Sequence, residues 1–314
     1  MTRTVAILGP TSVGKSWLGL ELAAALSGEI ISADALQAYR GFDIGTAKPT
    51  RDEQRNVPHH LIDILEPHQT FSAGEFARRA RICIEEISQR GRRPIVLGGS
   101  GLYLRALLDG ISPIPETSAE IRSELRCRLE EEGLEPLRAE LVELDPATAN
   151  RLRPGDTQRI MRGLEVILST GKPLSAWLAE NPLGQGSVDA LRLGLTLPRS
   201  VLYDRIAERV RAMVLAGWLE EVEGLLHCGL SPELPAFQAI GYRQLAAHVS
   251  GQSSMEEAVA ATVRATRRFA KRQLTWFRRE QAATWFSMED PRQCLQSVID
   301  FLEEVGIGGE HGQT

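Results

Sequence analysis

The segment 4–8 (TVAIL) is an uninterrupted apolar run, which predicts a short buried strand. A glycine turn comes next, and apolar positions then recur at helical spacing from Lys15 to Leu26. A second strand is predicted at 29–33, directly before Asp34. A helix is predicted from Gly74 to Arg90, with Phe76, Ala80, Ile84 and Ile87 on one face, and a further strand from Pro94 to Leu97, closing on Gly98-Gly-Ser-Gly101. Strands alternating with helices imply a parallel sheet covered on both faces. After residue 115 the pattern turns purely helical (117–132, 134–144, 156–170) until the turn-rich stretch 181–187. Strand character returns at 190–197. Helices at 199–228 and 254–279, a strand at 283–287 and a helix at 291–305 complete the chain.

The expected fold class is therefore α/β: a P-loop NTPase-like parallel sheet flanked by helices, with an inserted all-helical module. The expected division is a discontinuous core, 1–113 with 188–306, an inserted module at 114–187 and a disordered tail at 307–314.

Composition narrows the function classes. No apolar stretch approaches the roughly 18–20 uncharged residues needed to span a bilayer. The first residues lead straight into a strand without the apolar run of a secretory leader. Cys83, Cys127, Cys228 and Cys294 stand far apart with no CxxC pair, so a zinc knuckle or disulfide framework is not expected and a reducing cytoplasm is. The chain carries 36 basic and 41 acidic residues, a net charge of −5. Residues 258–279, however, hold seven basic residues and no acid, so a cationic stripe lies on an anionic body.

The chemistry starts at Gly9-Pro10-Thr11-Ser12-Val13-Gly14-Lys15-Ser16, which fits G-x-x-x-x-G-K-[ST] between a strand and a helix. Backbone N–H groups, the helix N-terminus and Lys15 suit this loop to a polyphosphate, and the Ser16 hydroxyl suits Mg²⁺. The strand ending at Leu97 lacks the Mg²⁺-holding aspartate of a usual P-loop NTPase, and Asp63 and Asp300 sit poorly for that role. The second strand does end with an acid. Asp34 reads as a metal ligand, a general base or a helix N-cap, with the Ser100 hydroxyl in a nearby glycine loop. His59-His60 reads as a structural pair in a loop, with no third metal ligand at suitable spacing.

The motifs GPTSVGKS (9–16), SADALQAYRGFDIGTAKP (32–49), PHHLIDI (58–64) and GGSGLY (98–103) closely resemble those of the tRNA dimethylallyltransferases. DTQRIMRGLE (156–165), AIGYRQ (239–244) and AKRQLTWFR (270–278) extend the resemblance over nearly the whole chain. The resemblance implies transfer of a dimethylallyl group from dimethylallyl diphosphate to N6 of the adenosine at tRNA position 37, beside the anticodon. It implies Asp34 as the base, with Ala35, Leu36 and Gln37 beside it on the tRNA. Lys15 and Ser16 would hold the diphosphate, directly or through Mg²⁺. Arg209, which its own helix pattern reads as a surface arginine, would lie on the leaving group. Ser100 stands where the family usually has threonine.

The resemblance also places Gln158, Arg159, Arg162, Gln238, Tyr242 and Arg243 on the anticodon stem-loop. Arg264, Arg268, Lys271 and Arg272 belong to an amphipathic helix whose apolar stripe is Val259, Val263, Ala270, Leu274 and Phe277. A solvated basic face usually carries acids for pairing, and this one has none over 22 residues, so phosphate contact is the favoured reading. The expected working unit is a monomer with no membrane. Three alternatives compete: an ATP-dependent small-molecule or nucleoside kinase, a dimethylallyltransferase acting on free adenine nucleotides, and a nucleotide-gated RNA-binding module.

Overall fold

The structure is a computed structural model and describes residues 3–180 and 187–307. The chain opens with β1 (Thr4–Leu8), α1 (Lys15–Ala25), β2 (Gly28–Ser32), α2 (Arg51–Asn56), β3 (His59–His60), α3 (Ala73–Gln89), β4 (Arg93–Gly98) and α4 (Gly101–Leu108). It continues through α5 (Ala119–Glu132), α6 (Leu134–Leu144), α7 (Pro146–Ala149), α8 (Thr157–Thr170) and α9 (Leu174–Glu180). Then come β5 (Ala190–Thr196), α10 (Arg199–Leu215), α11 (Trp218–His227), a 3₁₀ turn at Pro235–Gln238, α12 (Tyr242–Val249), α13 (Met255–Phe277), β6 (Ala283–Ser287) and α14 (Pro291–Glu304). Two compact units result: one from the segments 1–108 and 188–314, the other from 109–187.

The first unit holds a six-stranded, wholly parallel sheet in the order β3-β2-β4-β1-β5-β6. Side chains alternate across each strand, so one run of apolar residues feeds two layers. Val5 and Ile7 pack with Leu18 and Leu22 of α1 and Val298 and Leu302 of α14. Ala6 and Leu8 pack with Phe76 and Ala80 of α3 and Leu104 and Leu107 of α4. A third cluster, built on Phe42, Trp218, Phe237 and Tyr242, joins the loop after β2 to α11 and α12. The second unit, α5 to α9, closes on its own core of Leu125, Leu137, Leu141, Ile160 and Leu164. No helix among the described residues is long and apolar enough to cross a membrane.

Several local expectations change. His59 and His60 are not in a loop: they form the edge strand β3 on β2, where His60 Nε2 meets the buried Glu29 carboxylate at 2.6 Å. Two residues are too few to show a period. The helix expected at 199–228 breaks at Gly217, whose φ of 98° closes α10 and starts α11. The tail cannot begin at 307, because Ile307 is only 3% exposed and its N–H donates to Leu302 O at 2.7 Å. The rest of that tail, 308–314, and the turn segment 181–186 lie outside the described residues.

Candidate active site

β1, β2 and β4 are neighbours in the sheet, in the order β2-β4-β1, and their carboxyl ends lie side by side. The segments leaving these three strands therefore meet in one place, the usual ligand crevice of an open α/β sheet. A cavity of about 770 Å³ opens there, lined by the P-loop, by 34–37, by Thr46–Pro49, by Gly98–Ser100, and by Arg205, Arg209, Phe269 and Gln273.

The P-loop turns into α1 through Gly14, whose φ of 111° an L side chain rarely adopts, and whose place a Cβ would fill 2.5 Å from Met288 Cε. Ser12 also takes a left-handed φ, 63°. α1 begins with no side-chain cap and no acid in its first turn, so its first N–H groups and its positive dipole end face the cavity unclaimed. Pro10 and Val13 are buried, and Val13 packs into the core, so these two can offer a ligand only backbone. Ser16 stands exposed on the first turn.

Two cations sit over this loop. Lys15 Nζ donates to Pro10 O at 2.8 Å, and burial, reinforced by the nearby Arg209 guanidinium and opposed by Asp34, lowers its pKa to about 7. Arg209 reaches in from α10 and donates to Thr11 Oγ1 at 3.3 Å and Ser12 Oγ at 3.4 Å. Its guanidinium is likewise held below its ordinary pKa by burial, against the pull of Asp34. The surface-arginine reading of Arg209 is thus corrected: its side chain lines the cavity. Two half-buried cations without a carboxylate in salt-bridge contact among the described residues form a site prepared for an anion.

Asp34 lies just beyond β2, and its Oδ1 accepts the Leu36 N–H at 2.9 Å. This is an Asx turn and not a helix cap, since residues 35–38 form turns and the next helix starts only at Arg51. The other carboxylate oxygen has no hydrogen-bond partner among the described residues, and Asp34 lines the cavity with Ser100 and Lys15. Ala35 and Leu36 are half-buried. Gln37 is engaged inside the chain: its Oε1 accepts from Ser32 Oγ at 2.8 Å, and its Nε2 donates to Thr46 O and Ala47 O.

The loop carrying Asp34 is pinned by Glu221, which no sequence motif singles out, and by Lys48 from within the 32–49 motif. Glu221 on α11 accepts N–H groups from Asp43 (3.1 Å) and Ile44 (2.7 Å) and the Tyr242 hydroxyl (2.5 Å). Lys48 donates to Tyr39 O at 2.8 Å and pairs with Asp43 and Asp63. Gln273 on α13 falls within the 270–278 motif but has no role assigned to it by sequence; its physical signal is a lone amide on the apolar face, between Ala270 and Phe277.

Arg264, Arg268, Lys271 and Arg272 are exposed along α13 and pair with no carboxylate among the described residues, while Arg267 is tied to Tyr203 O at 3.1 Å. A capping box at Ser254 and Glu257 fixes where this helix starts, and so which face the basic residues share. Tyr242 must be removed from the RNA-facing set. It is 0% exposed, packed on Phe42, Phe237 and Trp218, with its hydroxyl on Glu221. Gln238 is exposed and donates to Pro232 O, and Arg243 is exposed. In the second unit Gln158 and Arg159 are exposed, with Arg159 on Asp156, while Arg162 is half-buried on Thr117 and Glu165.

Comparison with known proteins gives one consistent result. A family model described as IPP transferase matches residues 37–280. A tRNA dimethylallyltransferase of Trichlorobacter lovleyi is 50% identical over 296 residues, covering 94% of this chain and 97% of its own. One from Geobacter sulfurreducens is 48% identical, covering 90% and 91%. Among solved structures, a tRNA isopentenylpyrophosphate transferase of Bacillus halodurans superposes with a TM-score of 0.71 at 38% identity, covering 97% of this chain and 96% of that one. A eukaryotic dimethylallyltransferase acting on tRNA superposes with a TM-score of 0.83 at 25% identity, covering 100% and 82%.

Proposed function

The chain belongs to the IPP transferase family of tRNA dimethylallyltransferases, and on that premise we propose that its cavity moves a dimethylallyl group from dimethylallyl diphosphate to N6 of the adenosine at tRNA position 37. The observation that carries the proposal is the pairing, in one cavity, of two half-buried cations at a phosphate loop with the Asp34 carboxylate, one oxygen of which has no hydrogen-bond partner among the described residues.

Each chemical need of the transfer has a group. The amine nitrogen attacks the first allyl carbon, the carbon–oxygen bond to diphosphate breaks, and the amine proton passes to the free oxygen of Asp34. Charge grows on the departing diphosphate as that bond stretches. Lys15, Arg209 and the first N–H groups of α1 stand where they neutralise it, and fixed positive groups in a dry cavity act most strongly there. In this reading the Ser100 hydroxyl, whose residue lines the same cavity, orients either the amine or a phosphate oxygen.

Among the described residues no group of three or more His, Cys, Asp or Glu gathers as a metal cage. Mg²⁺ held by protein alone does not fit; Mg²⁺ shared with a diphosphate does, since that ion is usually bound by one or two protein groups plus phosphate oxygens. Ser16 and the diphosphate would hold it, and it would supply charge neutralisation to the leaving group. The exposed face of α13, with Gln238 and Arg243, is proposed to receive the anticodon stem-loop by phosphate contact. Gln158 and Arg159 of the second unit are proposed to contribute to the same task.

Asp34→Asn tests the proposal. Asparagine keeps an oxygen for the Leu36 N–H but cannot accept the proton. With labelled dimethylallyl diphosphate and either tRNA, AMP or ATP as acceptor, the wild type should modify tRNA alone. The variant should bind both substrates with near-native affinity and transfer at least about a hundredfold more slowly. Loss of diphosphate affinity rescued by excess Mg²⁺ would make Asp34 a metal ligand instead, and full activity would remove it from the chemistry.

A further inference from the structure

The buried face of α13 is apolar except for Thr262, whose hydroxyl donates back to Ala258 O within the helix, and Gln273, whose amide leaves the helix. Gln273 is 6% exposed. Its Oε1 accepts the Thr11 N–H at 2.9 Å, and its Nε2 donates to Gly99 O at 2.8 Å. One partner is a donor and the other an acceptor, so the amide has a single satisfying orientation.

The fit around it leaves little freedom. A Cβ at Gly99 would collide with Gln273 Nε2, and one at Gly101 would lie 2.5 Å from Trp276 Nε1, one turn further along α13. Ala270 and Phe277, one turn to either side of Gln273, are buried in the two core layers of the sheet. The helix is thus anchored above and below the amide, and the amide is anchored to both loops.

Those loops carry the two sides of the cavity. Thr11 lies in the phosphate loop, and its hydroxyl is also the partner of Arg209. Gly99 immediately precedes Ser100. We infer that Gln273 is a positioning residue for group transfer: it holds the phosphate loop and the Gly99–Ser100 loop at one separation, and so fixes the leaving diphosphate relative to the Ser100 hydroxyl. This inference rests on reading the cavity as the prenyl-transfer site. It assigns the two faces of α13 different tasks, with exposed cations outward and a cradle-setting amide inward.

Displacement of a reacting group by about 1 Å can cost on the order of 10² in rate, whereas removing a phosphate contact weakens RNA binding and lowers its salt dependence. The two faces are therefore separable by experiment. Gln273→Met keeps length and volume and removes both bonds. Gln273→Glu keeps the acceptor for Thr11 and loses the donor to Gly99, except when protonated.

Three readouts apply to the full chain: amide hydrogen exchange at Thr11, affinity for inorganic pyrophosphate with Mg²⁺, and the single-turnover transfer rate with both substrates saturating. Gln273→Met should exchange faster at Thr11, bind tRNA with native affinity and salt slope, bind pyrophosphate within a few-fold of wild type, and transfer at least about tenfold more slowly. Gln273→Glu should recover toward the wild-type rate as pH falls, because the protonated carboxyl again donates to Gly99 O. Native transfer in Gln273→Met, or unchanged exchange at Thr11, overturns the inference. If Gln273→Met does not fold, a pH-independent ratio of Gln273→Glu to wild type overturns it instead. Failure of the wild type to modify tRNA would count against the transfer reading alone, and the exchange and pyrophosphate readouts would still decide whether the bridge sets the cradle.

Discussion

The Lys15 ammonium gives the most quantitative expectation. Burial, then the neighbouring Arg209, hold its pKa near 7 in the empty cradle, against an ordinary 10.5. At pH 8 only about one Lys15 in ten is then charged. A diphosphate between Lys15 and Arg209 favours the charged form, so the complex binds more protons than the free protein. Affinity must therefore fall as pH rises through about 7, by up to tenfold per unit until the raised pKa of the complex is reached. A lysine charged throughout would instead give a flat profile from this group.

The assay is calorimetry of dimethylallyl diphosphate with Mg²⁺ at pH 8, in two buffers of different ionisation enthalpy, which reads the protons taken up on binding. About 0.9 proton per complex is expected from Lys15. Lys15→Arg supplies the control, because a guanidinium stays charged and removes this uptake while leaving the ligand's own titration in place. Equal proton uptake in wild type and Lys15→Arg, with parallel affinity profiles from pH 7 to 9, would refute the reasoning and show Lys15 already charged in the empty site.

The geometry sets two further outcomes. Arg268→Glu/Arg272→Glu should weaken tRNA binding, flatten its slope of log K against log[salt] by about 1.8, and leave pyrophosphate binding unchanged; an unaltered slope would show the α13 face to be merely solvated. Glu221→Met removes both oxygens that accept from Asp43, Ile44 and the Tyr242 hydroxyl, and should cost about 1–3 kcal/mol of stability in denaturant titration. Tyr242→Phe, which loses one hydroxyl bond to the same carboxylate, should cost less.

The sheet is legible in the sequence because its strands are continuous apolar runs bounded by glycine or polar turns. β1 and β6 fall where the pattern puts them, and β2 and β4 differ by a residue at either end. The phosphate loop is legible because its chemistry is local: Gly9 to Ser16 are contiguous, and each role depends on the next residue along. Groups that act across the chain stay hidden. Arg209 reads as a surface arginine on α10 until the fold brings that helix over Thr11 and Ser12. The resemblance puts Tyr242 on the anticodon stem-loop, and nothing local says that Phe42 and Phe237 will enclose it instead. Glu221 lies 176 to 178 positions from the backbone it holds, and no periodicity encodes such a pairing. Gln273 lies in the 270–278 motif, but its task is signalled only by a polar group on an apolar face.

These hidden residues share a physical task. A parallel sheet delivers the ends of β1, β2 and β4 to one edge, but the segments that leave them are turns and loops, which by themselves would be mobile on that edge. Transfer between two bound substrates demands more, because donor carbon, attacking nitrogen and leaving oxygen must be held in line to well under an ångström. Helices from the second half of the first unit supply that constraint: Arg209 from α10 on Thr11 and Ser12, Glu221 from α11 on the Asp43–Ile44 turn, and Gln273 from α13 between Thr11 and Gly99. Each clamps a loop through backbone or a short hydroxyl, where small shifts move the reacting groups directly. The motif residues therefore supply the chemical groups, and residues far along the chain fix the loops that carry them. Substitutions at Glu221 and Gln273, which touch neither substrate in this reading, should accordingly lower the transfer rate more than they lower affinity for either substrate.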